Sequence, residues 1–233
     1  MKCCVFIKLE KVIILSDEVY SNLEHKFKRG SFSTPTSFDF LEGELPIIIS
    51  APHSTDHFRE GRVKKGEYET GILSLSLQQK IDSYACYRTK IVKDDPNFDK
   101  DHPYKMELAN IITQNQIPIL IDIHIARVSR PFSIEIGTNF GNNLHIHKEV
   151  GSLSKDFLEQ YIPGNIVIDT LFTASNPNTV SAYISKECAI DCLQIEINRR
   201  LINTPAKFIK FQEIFKKYIL FLVKEMYALD KNH

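Results

Sequence analysis

Three stretches of this chain are almost unbroken runs of apolar, mostly β-branched residues: PIIIS (46–50), PILIDIHI (118–125) and CLQIEIN (192–198). A strand wetted on one face alternates apolar with polar residues. A continuous run belongs to a strand buried on both faces, and such strands sit in parallel sheets covered by helices. The intervening segments carry helical spacing, and strands alternating with helices define an α/β fold. The expected architecture is one three-layer α/β/α domain over residues 1–233, with a mixed, mostly parallel sheet.

The rest of the chain divides around these runs. TGILSLSLQQKIDSYA (70–85) has strand period in LSLSL but helix spacing in Leu73, Leu77, Ile81 and Tyr84; its length and its Gln-Gln-Lys middle favour a helix. RTKIVK (88–93) reads as a strand, and PYKMELANIITQN (103–115) as a helix opening on proline. FSIEIGT (132–138) and NIVIDT (165–170) read as strands, and KEVGSLSKDFLEQYI (148–162) as a helix. A long C-terminal helix spans 204–229, with Thr204 as its cap and Pro205 in its first turn. Its face Phe208, Phe211, Phe215, Tyr218, Ile219, Leu222 and Met226 is core packing. RGSFSTPTSFDFLEGE (29–44) reads as a polar, turn-rich loop. MKCCVFIKLEKVIILSDEV (1–19) reads as a strand or hairpin, since it lacks the apolar core and small-residue cleavage site of a secretory signal.

Composition narrows the function classes. Lys plus Arg and Asp plus Glu are each 29, so no basic excess suggests a nucleic-acid partner. No apolar run reaches the roughly 18 residues of a membrane span. The five cysteines (Cys3, Cys4, Cys86, Cys188 and Cys192) are odd in number and lack ribbon spacing, which suits a reduced, cytoplasmic protein. Cys188 and Cys192 lack a second pair to complete a metal site and read as small buried apolar residues.

In open parallel sheets, ligands gather at the carboxyl ends of strands. His53 follows the run at 46–50 and His124 ends the run at 118–125, so both reach that rim. A catalytic zinc site needs three protein ligands and an open position, and two histidines with one carboxylate is a recurring set. Asp56, Glu60, Glu67 and Glu69 are the carboxylates near His53. Asp122 shares a strand face with His124 and is placed to orient it. Glu196, flanked by Ile195 and Ile197, is a carboxylate in an apolar strand, a costly position unless paired or functional. Beside an activated water it suits a general base. Arg199 and Arg200 offer planar forks for a carboxylate and face opposite ways if the strand persists. Arg127, three past His124, either polarises a carbonyl or lies on the surface. Asn97 serves either substrate orientation or the D-P-N turn, and SNPNTVSAY (175–183), with Thr179, either covers substrate or only turns. His145 and His147 form an H-x-H in the polar context GNNLHIHKE, which reads as two exposed histidines and is the main rival ligand pair.

Joined in order, SAPHS, GEYET, DPN, DIH, IEIGTNFG and LQIEINRRLI resemble the N-formylglutamate amidohydrolase family, over roughly residues 46–203. The resemblance implies a fold like that of the zinc carboxypeptidases and aspartoacylases, and one zinc ion per chain held by His53, Glu67 and His124. It puts the family's glutamate on Glu196 and a substrate loop on IGTNFG (136–141). The implied substrate is a small N-acyl amino acid bearing a carboxylate, such as N-formylglutamate. Among the residues weighed above, Asn97, Thr179 and Arg199 are the candidates for its binding end and Arg127 for the carbonyl. A carboxypeptidase-like or γ-glutamyl peptide hydrolase, and a non-catalytic metal-binding relative, are the alternatives. Two departures are visible: the acidic ligand, usually Asp, is Glu67, and Asp95-Pro96-Asn97 is followed by Phe98 where the family often has Arg.

Overall fold

The three apolar runs lie side by side at the centre of a seven-stranded sheet. The computed structural model describes residues 16–231. In chain order the elements are α1 (Asp17–Arg29), β1 (Phe38–Leu41), β2 (Leu45–Ala51), β3 (His57–Arg59), β4 (Arg62–Lys64), α2 (Tyr68–Ile81), β5 (Ser83–Arg88), α3 (Pro103–Asn115), β6 (Ile119–Ala126), β7 (Ile134–Gly137), α4 (Val150–Tyr161), β8 (Ile166–Ile168), α5 (Val180–Cys188), β9 (Asp191–Asn198), a 3-10 turn (Arg199–Leu201) and α6 (Pro205–Asp230).

The sheet order is β1-β5-β2-β6-β9-β7-β8, and β3 with β4 forms a separate hairpin. The central strands β5, β2, β6 and β9 are mutually parallel, β1 and β7 join antiparallel, and β8 returns parallel to β7. All eight residues of β6 and all eight of β9 are buried, as continuous β-branched runs require. Helices cover both faces. α1, α2, α4 and α6 pack on one side against Ile49, Ile121, Ile123, Leu193 and Ile195. α3 and α5 pack on the other against Ile48, Leu120 and Cys192. Helix α6 buries the face expected of it, from Phe208 to Met226, and Thr204 caps it by accepting the Lys207 N–H.

Several boundaries differ from the sequence expectation. The helix expected at 70–85 stops at Ile81 because Asp82 turns left-handed (φ 55°) and feeds β5 at once. The strand expected at 88–93 is therefore Ser83–Arg88. After it the chain leaves the sheet, with Thr89 and Lys90 donating to the Ser37 carbonyl and Ile91 and Val92 exposed. The loop at 29–44 contains β1, which pairs with β5. The strand or hairpin expected at 1–19 lies largely outside the described residues; its end, from Asp17, is the start of α1, capped by Ser16. Within 175–183 only the first part is loop, since α5 begins at Val180. Among the described residues no helix is long and apolar enough to cross a membrane.

Candidate metal centre

Side chains on β6 and β9 alternate between the two helical layers, so Asp122 and His124, like Gln194 and Glu196, point to the α3/α5 face. The two strands are in register, Asp122 beside Gln194 and His124 beside Glu196. Strand β2 stops one bond short at Ala51, and Pro52 swings His53 over the same rim. The loop then returns. The Glu67 N–H donates to the His53 carbonyl at 2.7 Å, and α2 starts on the next residue. Glu67 occupies the N-cap position but does not cap its helix. Its carboxylate reaches over the rim, 3.6 Å from His53 Nδ1 and 3.4 Å from His124 Nδ1, while Oε2 accepts the Ile125 N–H at 3.0 Å.

His53, Glu67 and His124 each offer one atom, all within 4.8 Å of one another, close enough for one ion to bridge. Ligands about 2.0–2.1 Å from zinc lie about 3.4 Å apart along a tetrahedron's edge; here the two imidazoles approach different oxygens of Glu67, His53 at Oε1 and His124 at Oε2. Each histidine also turns its far nitrogen to a buried carboxylate: His53 Nε2 to Asp95 Oδ1 at 2.8 Å, and His124 Nε2 to Asp122 Oδ2 at 3.1 Å. That pairing leaves Nδ1 of each ring turned toward Glu67, the arrangement metal-binding histidines favour. Burial opposes charge on both imidazoles, but Asp95 and Glu67 for His53, and Asp122 and Glu67 for His124, outweigh it and raise their pKa values. Three carboxylates around two imidazoles call for positive charge at this point. A second cluster, His53, His57 and Asp95, suits a cation less well, because Arg59 Nε already holds Asp95 Oδ2 at 2.8 Å.

Glu196 lies one strand over from His124 and faces Glu135 across β7. Burial is the main cause that lifts its pKa to about 7; the Glu67 and Glu135 charges add to it, while the two imidazoles oppose it. Gln194 Nε2 donates to its Oε1 at 3.2 Å. Glu135, also buried, accepts the backbone N–H groups of Thr170, Leu171 and Phe172 and so holds the segment after β8 against the site. A cavity of about 760 Å³ opens above the histidines. Its walls are the hairpin (Arg59, Lys64, Lys65), the 97–98 turn, the end of β6 (Arg127, Arg130) and residues 171–176.

The other residues singled out from sequence fall as follows. Glu69 is buried and bonds Arg199 Nη1 at 2.6 Å. Asp56 closes the hairpin loop by accepting the Gly66 N–H and the Tyr68 hydroxyl. Gly66 has no room for a Cβ, which would sit against the backbone of Thr55 and Asp56. Arg199 and Arg127 line the cavity, and Arg127 has no ion-pair partner among the described residues. Arg200 points away and donates to Ser133 Oγ. Asn97 Oδ1 accepts the Val180 N–H and Thr179 Oγ1 the Ala182 N–H, so both oxygens serve the start of α5, although both residues also line the cavity. The segment expected as a substrate loop, 136–141, lies outside the cavity lining: Asp169 accepts from Thr138 and Phe140, and Gly137 seats the Phe172 carbonyl.

The expectation of two exposed histidines at 145 and 147 fails for the second. His147 is buried between Asp191 and Asp230, with Nδ1 on the first and Nε2 on the second, while His145 bonds Ser185. Cys192 is buried and Cys188 partly so, and Cys86, Cys188 and Cys192 are free thiols.

Sequence reading missed three participants. Asp95 holds His53 from 42 positions away. His57 stacks flat on His53 with ring centroids 4.0 Å apart, and burial first, then the neighbouring imidazole, lowers its pKa to about 4. Arg130 lies over the Phe172 ring. Only the His53–His57 spacing was a usable signal.

No family model and no curated protein matches the sequence. Solved structures share its fold. An N-formylglutamate amidohydrolase from Ralstonia eutropha is similar at TM-score 0.54 and 14% identity, over 82% of this chain and 99% of that one. A bacteriophage poly-gamma-glutamate hydrolase is similar at TM-score 0.50 and 12% identity, over 91% and 96%. A metallo-carboxypeptidase from Pseudomonas aeruginosa is similar at TM-score 0.52 and 12% identity, over 91% of this chain and 70% of that one.

Proposed function

We propose that this chain is a zinc-dependent amidohydrolase that cleaves an N-acyl amino acid bearing a free carboxylate, with N-formylglutamate as the type substrate. One observation carries the reading: two histidines turn their Nδ1 atoms toward one carboxylate, 3.6 and 3.4 Å away, each backed by a buried acid, with a buried glutamate beside them. His53, Glu67 and His124 would hold one zinc ion, which when bound acidifies water toward a pKa of about 7 and polarises an amide carbonyl.

The chain's own groups do the remaining work. Glu196, with Oε1 held by Gln194, takes a proton from the attacking water and returns it to the leaving nitrogen. Arg127, without a carboxylate partner among the described residues, faces the negative charge that develops on the carbonyl oxygen. Arg199 keeps one arm on Glu69 and offers the others to the substrate carboxylate. Asn97 and Thr179 form part of the opposite wall. Unpaired thiols at Cys86, Cys188 and Cys192 support a reducing, cytoplasmic setting.

A second reading, a γ-glutamyl peptide hydrolase, is favoured by the charge of the lining: Arg59 and Arg199 are paired with Asp95 and Glu69, but Lys64, Lys65, Arg127 and Arg130 also line a cavity whose lining acids are Glu67 and Glu196. Such a wall suits a substrate with several carboxylates. One experiment addresses both readings: metal analysis of the purified protein, then turnover of formyl- and acyl-amino acids beside γ-glutamyl peptides with zinc added. Zinc at one equivalent with turnover of an acyl-amino acid is expected. Preference for the peptides selects the second reading, and a protein that neither holds nor responds to divalent metal loses both.

A further inference from the structure

Gln194 has a buried side chain with one end committed and the other end open. It lies two residues before Glu196 on the same face of β9, is 4% exposed, and lines the cavity. Its neighbours in the sheet are Asp122 on β6 and Gly137 on β7, and residues 172–174 of the cavity wall pack over Gly137. Nε2 donates to Glu196 Oε1 at 3.2 Å. With Glu196 ionised, as a base must be, that bond sets the amide's orientation, because the flipped form would press two oxygens together. Oε1 is buried without a hydrogen-bond partner among the described residues. A buried carbonyl in that state carries an uncompensated desolvation cost, which a water or a ligand that supplies the missing donor removes.

The substrate chemistry names that donor. A secondary amide with carboxylates offers oxygens, which the arginines and lysines of the wall can bind, and one N–H, which needs an acceptor. Glu196 must protonate the leaving nitrogen, so that nitrogen comes within about 2.6–3.2 Å of its free oxygen. Gln194 is bonded to the same carboxylate and is therefore at the nitrogen's side. We propose that Gln194 is a specificity-determining residue whose Oε1 accepts the N–H of the scissile amide while its Nε2 holds Glu196. The assignment rests on the amide-hydrolase reading above. Water adds to the acyl carbon, the C–N bond breaks, and the proton held by Glu196 goes to the nitrogen, giving an amine and a carboxylic acid, which releases its remaining proton to solvent. Holding the N–H aims the nitrogen lone pair at Glu196.

The test compares zinc-loaded wild type, Gln194→Met and Gln194→Glu on a secondary amide, N-formyl-L-glutamate or the panel member turned over fastest, and on its N-methyl analogue, which lacks the N–H. Wild type is expected to favour the N–H substrate by about 100-fold or more in kcat/KM, as sites built to bind a substrate N–H do. Gln194→Met loses most of that preference and Gln194→Glu, which keeps an acceptor, retains it. Zinc titration should give all three the same affinity, separating this effect from damage to the ligands. If Gln194→Met does not fold, Gln194→Ala takes its place with the same readout. An N–H preference unchanged in the Met or Ala variant overturns the assignment and leaves the hydrolase reading standing; Oε1 then faces the Asp122 side for structural reasons. Wild type that turns over no secondary amide overturns both.

Discussion

Replacing Glu196 by Gln separates catalysis from stability more cleanly than any other change at this site. The substitution keeps the side chain's length and its acceptor for Gln194, and removes only the charge and the capacity to take a proton. Loss of a general base costs about 100- to 10,000-fold in kcat, or about 3–5.5 kcal/mol at 1.36 kcal/mol per tenfold. Stability moves the other way. The pKa of Glu196 rises from an ordinary 4.5 to about 7, chiefly through burial and then through the Glu67 and Glu135 charges. The folded protein therefore binds an extra proton between those values, and stability falls as pH rises through that window. Above pH 7 the ionised carboxylate costs the metal-free protein at most about 3 kcal/mol. The neutral amide removes that cost, so metal-free Glu196→Gln should melt higher at pH 8, by as much as roughly 6–12 °C for a chain of this size, with no difference at pH 4.5. Zinc affinity should stay near wild type, because Glu196 is not among the three ligand atoms. Kinetics with zinc, zinc titration and thermal melts at the two pH values read all of this. Turnover within tenfold of wild type would refute the role as base, a lower melting point at pH 8 would refute the burial argument, and loss of zinc would make Glu196 a ligand.

Two further substitutions test the surroundings. Glu67→Gln should weaken zinc binding by more than the roughly 10- to 100-fold lost with an orienting carboxylate; Glu69→Gln should leave zinc in place and raise KM by freeing Arg199, and the reverse pattern in a zinc titration transfers the ligand role to Glu69. Asp94→Asn removes the carboxylate paired with the fully buried Arg88 at 2.7 Å and should cost roughly 3 kcal/mol at pH 7, near the low end for a broken buried pair because Asp94 is 28% exposed. Burial tends to raise the Asp94 pKa, but His102 and Arg88 outweigh it and hold it low, so its contribution is present above about pH 4 and lost below; denaturant melts should show wild type and variant converging as pH falls below 4, and equal stability at pH 7 sinks the argument.

What could be read in advance follows from the range over which each feature is decided. Strands β2, β6 and β9 were legible because burial on both faces leaves a local mark, and α6 because a period of 3.6 is equally local. Strand β5 was displaced because its SYACYR carries a weaker mark than the apolar KIVK after it, whose Ile91 and Val92 are exposed. The same division runs through the candidate site. His53, His124, Asp122 and Glu196 were nominated by strand ends and two-residue spacing, and the structure gathers them around one point. Choosing among Asp56, Glu60, Glu67 and Glu69 needed the family resemblance, because a loop's return depends on contacts that leave no periodicity. In the fold the Glu67 N–H on the His53 carbonyl brings the Glu67 carboxylate to the two histidines, while Gly66 and Tyr68 occupy Asp56 and Arg199 occupies Glu69. Asp95 was invisible as a partner of His53 for the same reason: nothing near position 95 indicates which histidine it will meet. Gln194 marks the boundary between the two cases. Its strand face was legible, but the open Oε1 that gives it a use emerges only once Nε2 is seen to be committed to Glu196.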